Sequence, residues 1–434
     1  MKFHINPGAL IQGDITVPGD KSISHRAILL AAIADHPTEI FNISLGTDVL
    51  ASIDAMRSLG VPIFLDAKKK YARVVGVGLH GLKPSKKPIF CGNSGTLMRL
   101  LTGILSAQTF NSVLMGDASL SKRPMLRIAE PLRLMGAHIE LSEKNTAPIK
   151  ITGSPLKAID YALPIPSAQV KSTILLAGLY TKEKTVVREK IKTRDHTERM
   201  LNLPDIAGAI STSFEKGGLC AAPGGFIQIP GDISSAAFFI VLATISKDSH
   251  LVIRDIGINP FRIGIITILK LMGADIEIKN ERSFGNEPIA DIQVKYAPLK
   301  GIVIPESHIA SAIDEFPIIF VAAAYASGKT MLRNAKELRV KESDRIHVMA
   351  ENLKKMGVFV EEYEDGLSIE GADKLQGAIL DAKEDHRIAM ALSVAAHLAL
   401  EPVSIDNCDF VKTSFPDFVA IANSIGMCIE EKIV

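Results

Sequence analysis

Leu132-Arg-Leu-Met-Gly136-Ala-His-Ile139 returns almost unchanged as Leu269-Lys-Leu-Met-Gly273-Ala-Asp-Ile276, and that echo decides how the chain reads. In each copy an apolar-periodic run stops at a glycine, the residue favoured in the left-handed conformation that ends a helix. Alternating apolar residues follow, as in a half-buried strand. The phrase recurs as Met56-Arg-Ser-Leu-Gly60-Val-Pro-Ile63, Leu353-Lys-Lys-Met-Gly357-Val-Phe-Val360 and Ala422-Asn-Ser-Ile-Gly426-Met-Cys-Ile429, with a weaker copy at Asp205-Ile-Ala-Gly208-Ala-Ile210. Its glycines stand roughly 65 to 85 residues apart, too far for a solenoid, so each marks an α/β module of several short elements, about six in all.

A second echo groups the modules into two sets of three. Val17-Pro-Gly-Asp-Lys-Ser-Ile-Ser-His-Arg26 aligns with Ile229-Pro-Gly-Asp-Ile-Ser-Ser-Ala-Ala-Phe238. Each copy reads as a strand, a Pro-Gly turn and a helix starting near a serine. The first carries Lys21, Ser22, His25 and Arg26 where the second has Ile233, Ser234, Ala237 and Phe238. One architecture is charged in one place and apolar in the other, so the charges are not needed for folding and point to a ligand.

Composition narrows the ligand. The 434 residues exceed one ordinary core, and 47% hydrophobic with 22% charged residues is globular. Lysine plus arginine (49) nearly balances aspartate plus glutamate (48), so no global field attracts nucleic acid or an anionic membrane. The absence of Trp removes one stacking platform for bases. Cys91, Cys220, Cys408 and Cys428 are scattered, without a metal-ligand or disulfide pattern. The first residues lack a signal-peptide layout and the apolar stretches near Ile28 and Ile318 are too short to span a bilayer, which predicts a cytoplasmic protein.

The local candidates all suit anions. Lys21 and Ser22 open a helix, with Arg26 one turn on; backbone N–H groups, a hydroxyl and two cations favour phosphate or carboxylate, although a capped helix with solvated basic residues would read the same. Asn93, Gly95 and Thr96 form a small-residue turn where a ligand could approach the backbone. Arg123, before Pro124, suits a bidentate clamp or a surface ion pair. Ser167 and Gln169 offer neutral hydrogen bonds, and Lys171 is either ligand-facing or solvated. Thr193-Arg-Asp-His-Thr-Glu198 reads as an exposed polar segment, with Arg194 a possible contact and His196 structural. Lys341 and Arg345 fall four apart, on one helical face, with Glu342 beside them; Asp314 precedes an apolar helix over residues 318–326, where it could simply be a cap. Asp385-His-Arg387 opens another helix, and Lys412 stands in Val411-Lys-Thr-Ser. Ser327-Gly-Lys-Thr330 is no P-loop, because the glycine it needs would fall at Ala323.

Taken together, Pro18-Gly-Asp-Lys-Ser-Ile-Ser-His-Arg26, Gly92-Asn-Ser-Gly-Thr96, Lys122-Arg-Pro124, Ser167-Ala-Gln169, Asp314-Glu-Phe-Pro317, Lys341-Glu-Ser-Asp-Arg345 and Asp385-His-Arg387 resemble the enolpyruvyl transferase family, in its shikimate-3-phosphate branch. The resemblance runs nearly end to end. It implies a two-domain inverted α/β barrel, each domain three βαβαββ units, with residues 1–19 and 231–434 in one domain, 20–230 in the other, and the active site in the cleft between them. It implies transfer of the enolpyruvyl group of phosphoenolpyruvate to shikimate-3-phosphate, on the route to chorismate and the aromatic amino acids. By motif, Lys21, Ser22, Arg26, Ser167, Ala168, Gln169, Arg194, Asp314 and Lys341 would hold shikimate-3-phosphate. Lys21, Asn93, Gly95, Arg123, Gln169, Lys341, Arg345, Arg387 and Lys412 would hold phosphoenolpyruvate. Asp314, Glu342 and Lys21 would carry the catalysis.

The resemblance implies no metal or organic cofactor, and a monomer. The sequence around Ser167 and Thr193 looks like the branch often tolerant of glyphosate; that branch commonly has Ala at the position of Gly95, so the glycine here predicts sensitivity. Two other readings stay open on sequence: the sister activity on UDP-N-acetylglucosamine, which usually needs a mobile cysteine, and a noncatalytic anion-binding protein built on the same repeats.

Overall fold

The computed structural model describes all residues except 9, 204, 207–208, 213–224 and 433–434. Gly208, at the centre of the weaker repeat, and Cys220 therefore lie outside the described residues. The chain separates into two compact units, Met1–Pro18 with Pro230–Arg282 and Pro288–Val434, and Gly19–Ile229 with Ser283–Glu287.

Among the described residues the strands form six small sheets, three in each unit, and the plainest shows the plan. Strand Ile89–Phe90 leads through helix Gly95–Ser106 to Asn111–Met115, parallel to it; helix Leu126–Leu134 then leads to the antiparallel pair His138–Glu140 and Ile149–Thr152. Spatial order is first, second, fourth, third. The strands Asp160–Ala162, Thr185–Arg188, Asp205–Ile206 and Ala209–Thr212 repeat it.

Where the chain passes from one unit to the other, the missing strand comes from elsewhere in the same unit. Phe226–Gln228 lies parallel to Pro37–Phe41, and Gln12–Ile15 lies parallel to His250–Gly257. Lys2–Asn6 inserts between Val403–Asp406 and Cys428–Lys432, tying one chain end to the other. Gly60, Gly136, Gly273, Gly357 and Gly426 all have φ between 86° and 117°, the left-handed helix stop that the repeated phrase requires.

Each unit is centred on three helices. Every residue of Ile233–Ile245, Phe316–Ala324 and His386–His397 is buried in one apolar core. Lys21–Ala32, Gly95–Ser106 and Ala168–Gly178 fill the other. A helix that is apolar all round belongs in a core, and the sheets supply the cover. The second helix of the first group stops at Ala324, earlier than residue 326, because Tyr325 ends it and residues 327–328 turn into strand Lys329–Leu332. No helix among the described residues is long and apolar enough to cross a membrane.

Leu101 is fully buried in the middle of the Gly95–Ser106 helix. We expect Leu101→Ala to cost about 2–5 kcal/mol in urea unfolding. A loss below about 1 kcal/mol would contradict its place in the core.

Candidate active site

A buried helix begins with backbone N–H groups that its own turns cannot satisfy. In the Gly19–Ile229 unit, side chains answer that need at three helix starts. Asp20 accepts from Ile23 N at 2.8 Å, Ser94 from Leu97 N at 3.1 Å and Ser167 from Val170 N at 3.4 Å. The first helix is thus capped by Asp20, leaving the hydroxyl of Ser22 outside that role.

The charged candidates gather at these same starts. Lys21 Nζ meets Asp48 Oδ2 at 2.9 Å. Arg26 is buried, its guanidinium donating to Thr197 Oγ1 and Ser172 Oγ, each at 2.8 Å, and to the Ser22 carbonyl at 3.0 Å. Arg123 donates to Asn93 Oδ1 at 2.6 Å, and Asn93 Nδ2 donates to Asp117 at 2.8 Å. Arg123 is therefore a buried, directed cation and no surface pair. Gln169 donates to Thr96 Oγ1 at 2.9 Å and accepts from Arg99. A Cβ on Gly95 would stand 3.0 Å from one Arg99 nitrogen and 3.4 Å from one of Arg123, so two guanidinium groups crowd the start of this helix.

His25 joins two of the helix starts. Its Nδ1 is 2.7 Å from Ser52 Oγ and its Nε2 3.3 Å from Ser94 Oγ. Because Ser94 Oγ already accepts from Leu97 N, its proton suits Nε2, and the Nδ1 proton then goes to Ser52. Burial first, then the Lys21 and Arg26 charges, hold the ring neutral well below the ordinary histidine range.

Two expectations in this unit are corrected. Lys171 is neither solvated nor open to a ligand: its buried Nζ lies 2.7 Å from both Glu189 and Glu198. Thr193, His196, Thr197 and Glu198 are likewise buried, and burial pushes the Glu198 carboxyl up against the pull of Lys171. The segment is polar because it builds an internal network, with Thr197 supporting Arg26. Arg194 is half-buried, three residues before that threonine, and Ala168 is the first residue of its helix.

In the other unit the carboxylates and cations are interleaved. Asp314 Oδ1 lies 3.5 Å from Lys341 Nζ and 3.6 Å from Arg345 NH1. Arg345 is fully buried, pairs with Glu342 and donates through Nε to Asp385 Oδ2 at 2.8 Å. Burial opposes its charge, but Asp385, Glu342 and Asp314 outweigh it and raise its pKa. Arg387 NH1 donates to the Asp314 carbonyl at 3.1 Å. Lys412 sits exposed on the short turn Asp409–Thr413.

Lys341 and Arg345 do not share a helical face. Lys341 follows the 3₁₀ turn Lys336–Val340 and Arg345 begins helix Arg345–Lys355. They meet at Asp314 all the same. The cap position of the Phe316–Ala324 helix belongs to Glu315, which makes no side-chain cap bond.

Sequence reasoning missed Asp48, Arg99, Glu315 and Asp385 as partners of the candidates. Arg99 had a legible signal, standing one helical turn beyond Gly95. Among the described residues no group of three or more His, Cys, Asp or Glu is arranged to hold a metal ion.

The sequence model of the EPSP synthase (3-phosphoshikimate 1-carboxyvinyltransferase) family matches residues 5–421. A 3-phosphoshikimate 1-carboxyvinyltransferase from Alkalilimnicola ehrlichii is 50% identical over 433 residues, covering 99% of this chain and 96% of the relative. One from Methylococcus capsulatus is 50% identical over 432 residues, covering 99% and 98%. A solved EPSP synthase from Acinetobacter baumannii superposes with a TM-score of 0.86 at 47% identity, covering 100% of both chains. The enolpyruvyl transferase NikO from Streptomyces tendae shares the fold, with a TM-score of 0.78 at 17% identity.

The neutral His25 has a consequence for acid stability. Unfolded histidine protonates below about 6.5, whereas the folded ring resists, so its contribution is complete above that pH and lost as pH falls, by about 1.4 kcal/mol per unit. We expect the urea midpoint of the wild type to drop between pH 6.5 and 5.5 more steeply than that of His25→Gln. Equal slopes would contradict the assignment.

Proposed function

This chain belongs to the EPSP synthase (3-phosphoshikimate 1-carboxyvinyltransferase) family, and from that membership we infer how its own residues share the work. The reaction joins the enolpyruvyl group of phosphoenolpyruvate to the 5-hydroxyl of shikimate-3-phosphate and releases phosphate. Each substrate carries a phosphate and a carboxylate, which is the chemistry that helix N-termini and guanidinium groups bind best.

Shikimate-3-phosphate is held by Lys21, Ser22, Arg26, Ser167, Ala168, Gln169, Arg194, Asp314 and Lys341. Phosphoenolpyruvate is held by Lys21, Asn93, Gly95, Arg123 and Gln169, with Lys341, Arg345, Arg387 and Lys412. The observation that carries this division is the pairing of Asp314 with Lys341 and Arg345 beside Glu342, a carboxylate pair among cations.

The chemistry is addition followed by elimination. Asp314 takes the proton of the 5-hydroxyl as its oxygen attacks C2 of phosphoenolpyruvate, while Glu342 protonates C3. The tetrahedral intermediate loses phosphate as a proton leaves C3, and the double bond re-forms. Lys21 and the arginines offset negative charge on the departing phosphate. The enzyme works as a cytoplasmic monomer.

Cys91 favours this acceptor over UDP-N-acetylglucosamine. Its thiol is buried and burial pushes its pKa up to about 12, so it does not serve as a mobile catalytic cysteine.

We expect phosphate release that requires both substrates. Release without shikimate-3-phosphate, or none from folded protein, would reject the reading. Asp314→Asn and Glu342→Gln should each lower kcat about 10²–10⁴-fold, and a kcat within threefold of wild type would remove that residue from the chemistry. Glyphosate should compete with phosphoenolpyruvate, and Gly95→Ala should weaken the inhibitor more than the substrate, because the new methyl group takes up space beside the phosphoenolpyruvate site and crowds the Arg99 guanidinium group. Unchanged inhibition by glyphosate in that variant would contradict the account.

A further inference from the structure

In the unit that holds Asp314, the start of the Phe316–Ala324 helix is occupied by a carboxylate of the protein itself. Glu315, at the cap position, is fully buried and accepts from Ser234 Oγ. Ser234 lies at the position that Ser22 takes in the first echo of the sequence. Its hydroxyl also accepts from Arg262 NH2 at 2.7 Å, and the same nitrogen reaches Asp232 Oδ1 at 3.1 Å. Asp232 is fixed in turn by capping Ser234 N at 2.9 Å. On its far side Glu315 Oε1 stands 3.6 Å from Arg387 NH1, which donates to the Asp314 carbonyl at 3.1 Å.

Charge alternates along this chain, from Asp232 through Arg262 and Glu315 to Arg387. Its last member is the most exposed, 11% at the side chain against 3% for Arg262, 6% for Asp232 and 0% for Glu315. A flexible arginine left alone would sample many rotamers and lose binding strength to disorder. A buried carboxylate, itself locked by a hydroxyl, removes that freedom from one side of the guanidinium group and leaves its remaining N–H groups for a ligand. The lysine of the first echo, Lys21, is Ile233 here, so the cation comes from Arg262 and the anion from Glu315.

We propose that Glu315 is a positioning residue of the reaction: held by Ser234, which Arg262 orients in turn, it sets the direction of Arg387 toward phosphoenolpyruvate. The proposal rests on the reading of Arg387 as a phosphoenolpyruvate contact. Glu315 touches neither substrate, so its removal acts on one substrate through one arginine.

Steady-state kinetics of Glu315→Gln, Ser234→Ala, Arg387→Ala and the double variant Glu315→Gln/Arg387→Ala test this. Glu315→Gln should raise the KM for phosphoenolpyruvate about tenfold, the scale of one charge-assisted contact, with the KM for shikimate-3-phosphate within about twofold. Ser234→Ala should move the same constant in the same direction, and it decides the matter if Glu315→Gln does not fold. In the Arg387→Ala background the Glu315 substitution should add less than about twofold, because coupled residues are not additive. Equal effects on both substrates, a lowered Tm with both KM values unchanged, or full additivity with Arg387→Ala would overturn the proposal. An Arg387→Ala enzyme with an unchanged KM for phosphoenolpyruvate would instead sink the reading of Arg387 on which the proposal stands.

Discussion

The unsatisfied start of a buried helix is the constraint from which the rest follows. Three helices in each unit are sunk in apolar cores, and their first-turn N–H groups find no partner within the helix itself. Asp20, Ser94, Ser167, Asp232 and Asp385 each answer for part of that demand with a side-chain oxygen. Three of these five caps are carboxylates, which answer the helix dipole as well as its N–H groups.

The two units meet that electrostatic demand differently. In the Pro230–Val434 portion, Asp385 lies against Arg345 and Glu315 against Arg387, so carboxylates of the chain neutralise the cations. In the Gly19–Ile229 unit, Lys21 pairs with Asp48, Arg26 donates to two hydroxyls and a carbonyl, and Arg123 donates to Asn93 and Ser119. Neutral acceptors orient a guanidinium group without cancelling its charge.

The architecture was legible because its signals are local. The repeated glycine phrase marks helix stops that the backbone confirms at Gly60, Gly136, Gly273, Gly357 and Gly426. The two Pro-Gly turns fall where Met1–Pro18 ends and Pro230–Arg282 begins. The partners were less legible, because they are distant in sequence. Asp48 pairs with Lys21 across 27 positions and Asp385 with Arg345 across 40, and no periodicity relates such residues. Lys171 misled for a related reason: a lysine in a polar stretch reads as solvated until two glutamates are found folded over it. The four-residue spacing of Lys341 and Arg345 suggested a shared helix face, whereas a 3₁₀ turn and a new helix bring both to Asp314 by another route.

The central claim is that the helix starts of the Gly19–Ile229 unit, with Lys21 and Arg26 beside them, recognise the phosphate of the substrate. Calorimetric titration with shikimate-3-phosphate and, separately, with unphosphorylated shikimate tests it most directly. The account predicts binding of the phosphate ester at least about 100-fold tighter than that of shikimate, the scale expected for several charge-assisted hydrogen bonds to one phosphate. Equal affinities would contradict it, because the helix starts and Arg26 would then have no part in recognising the anion.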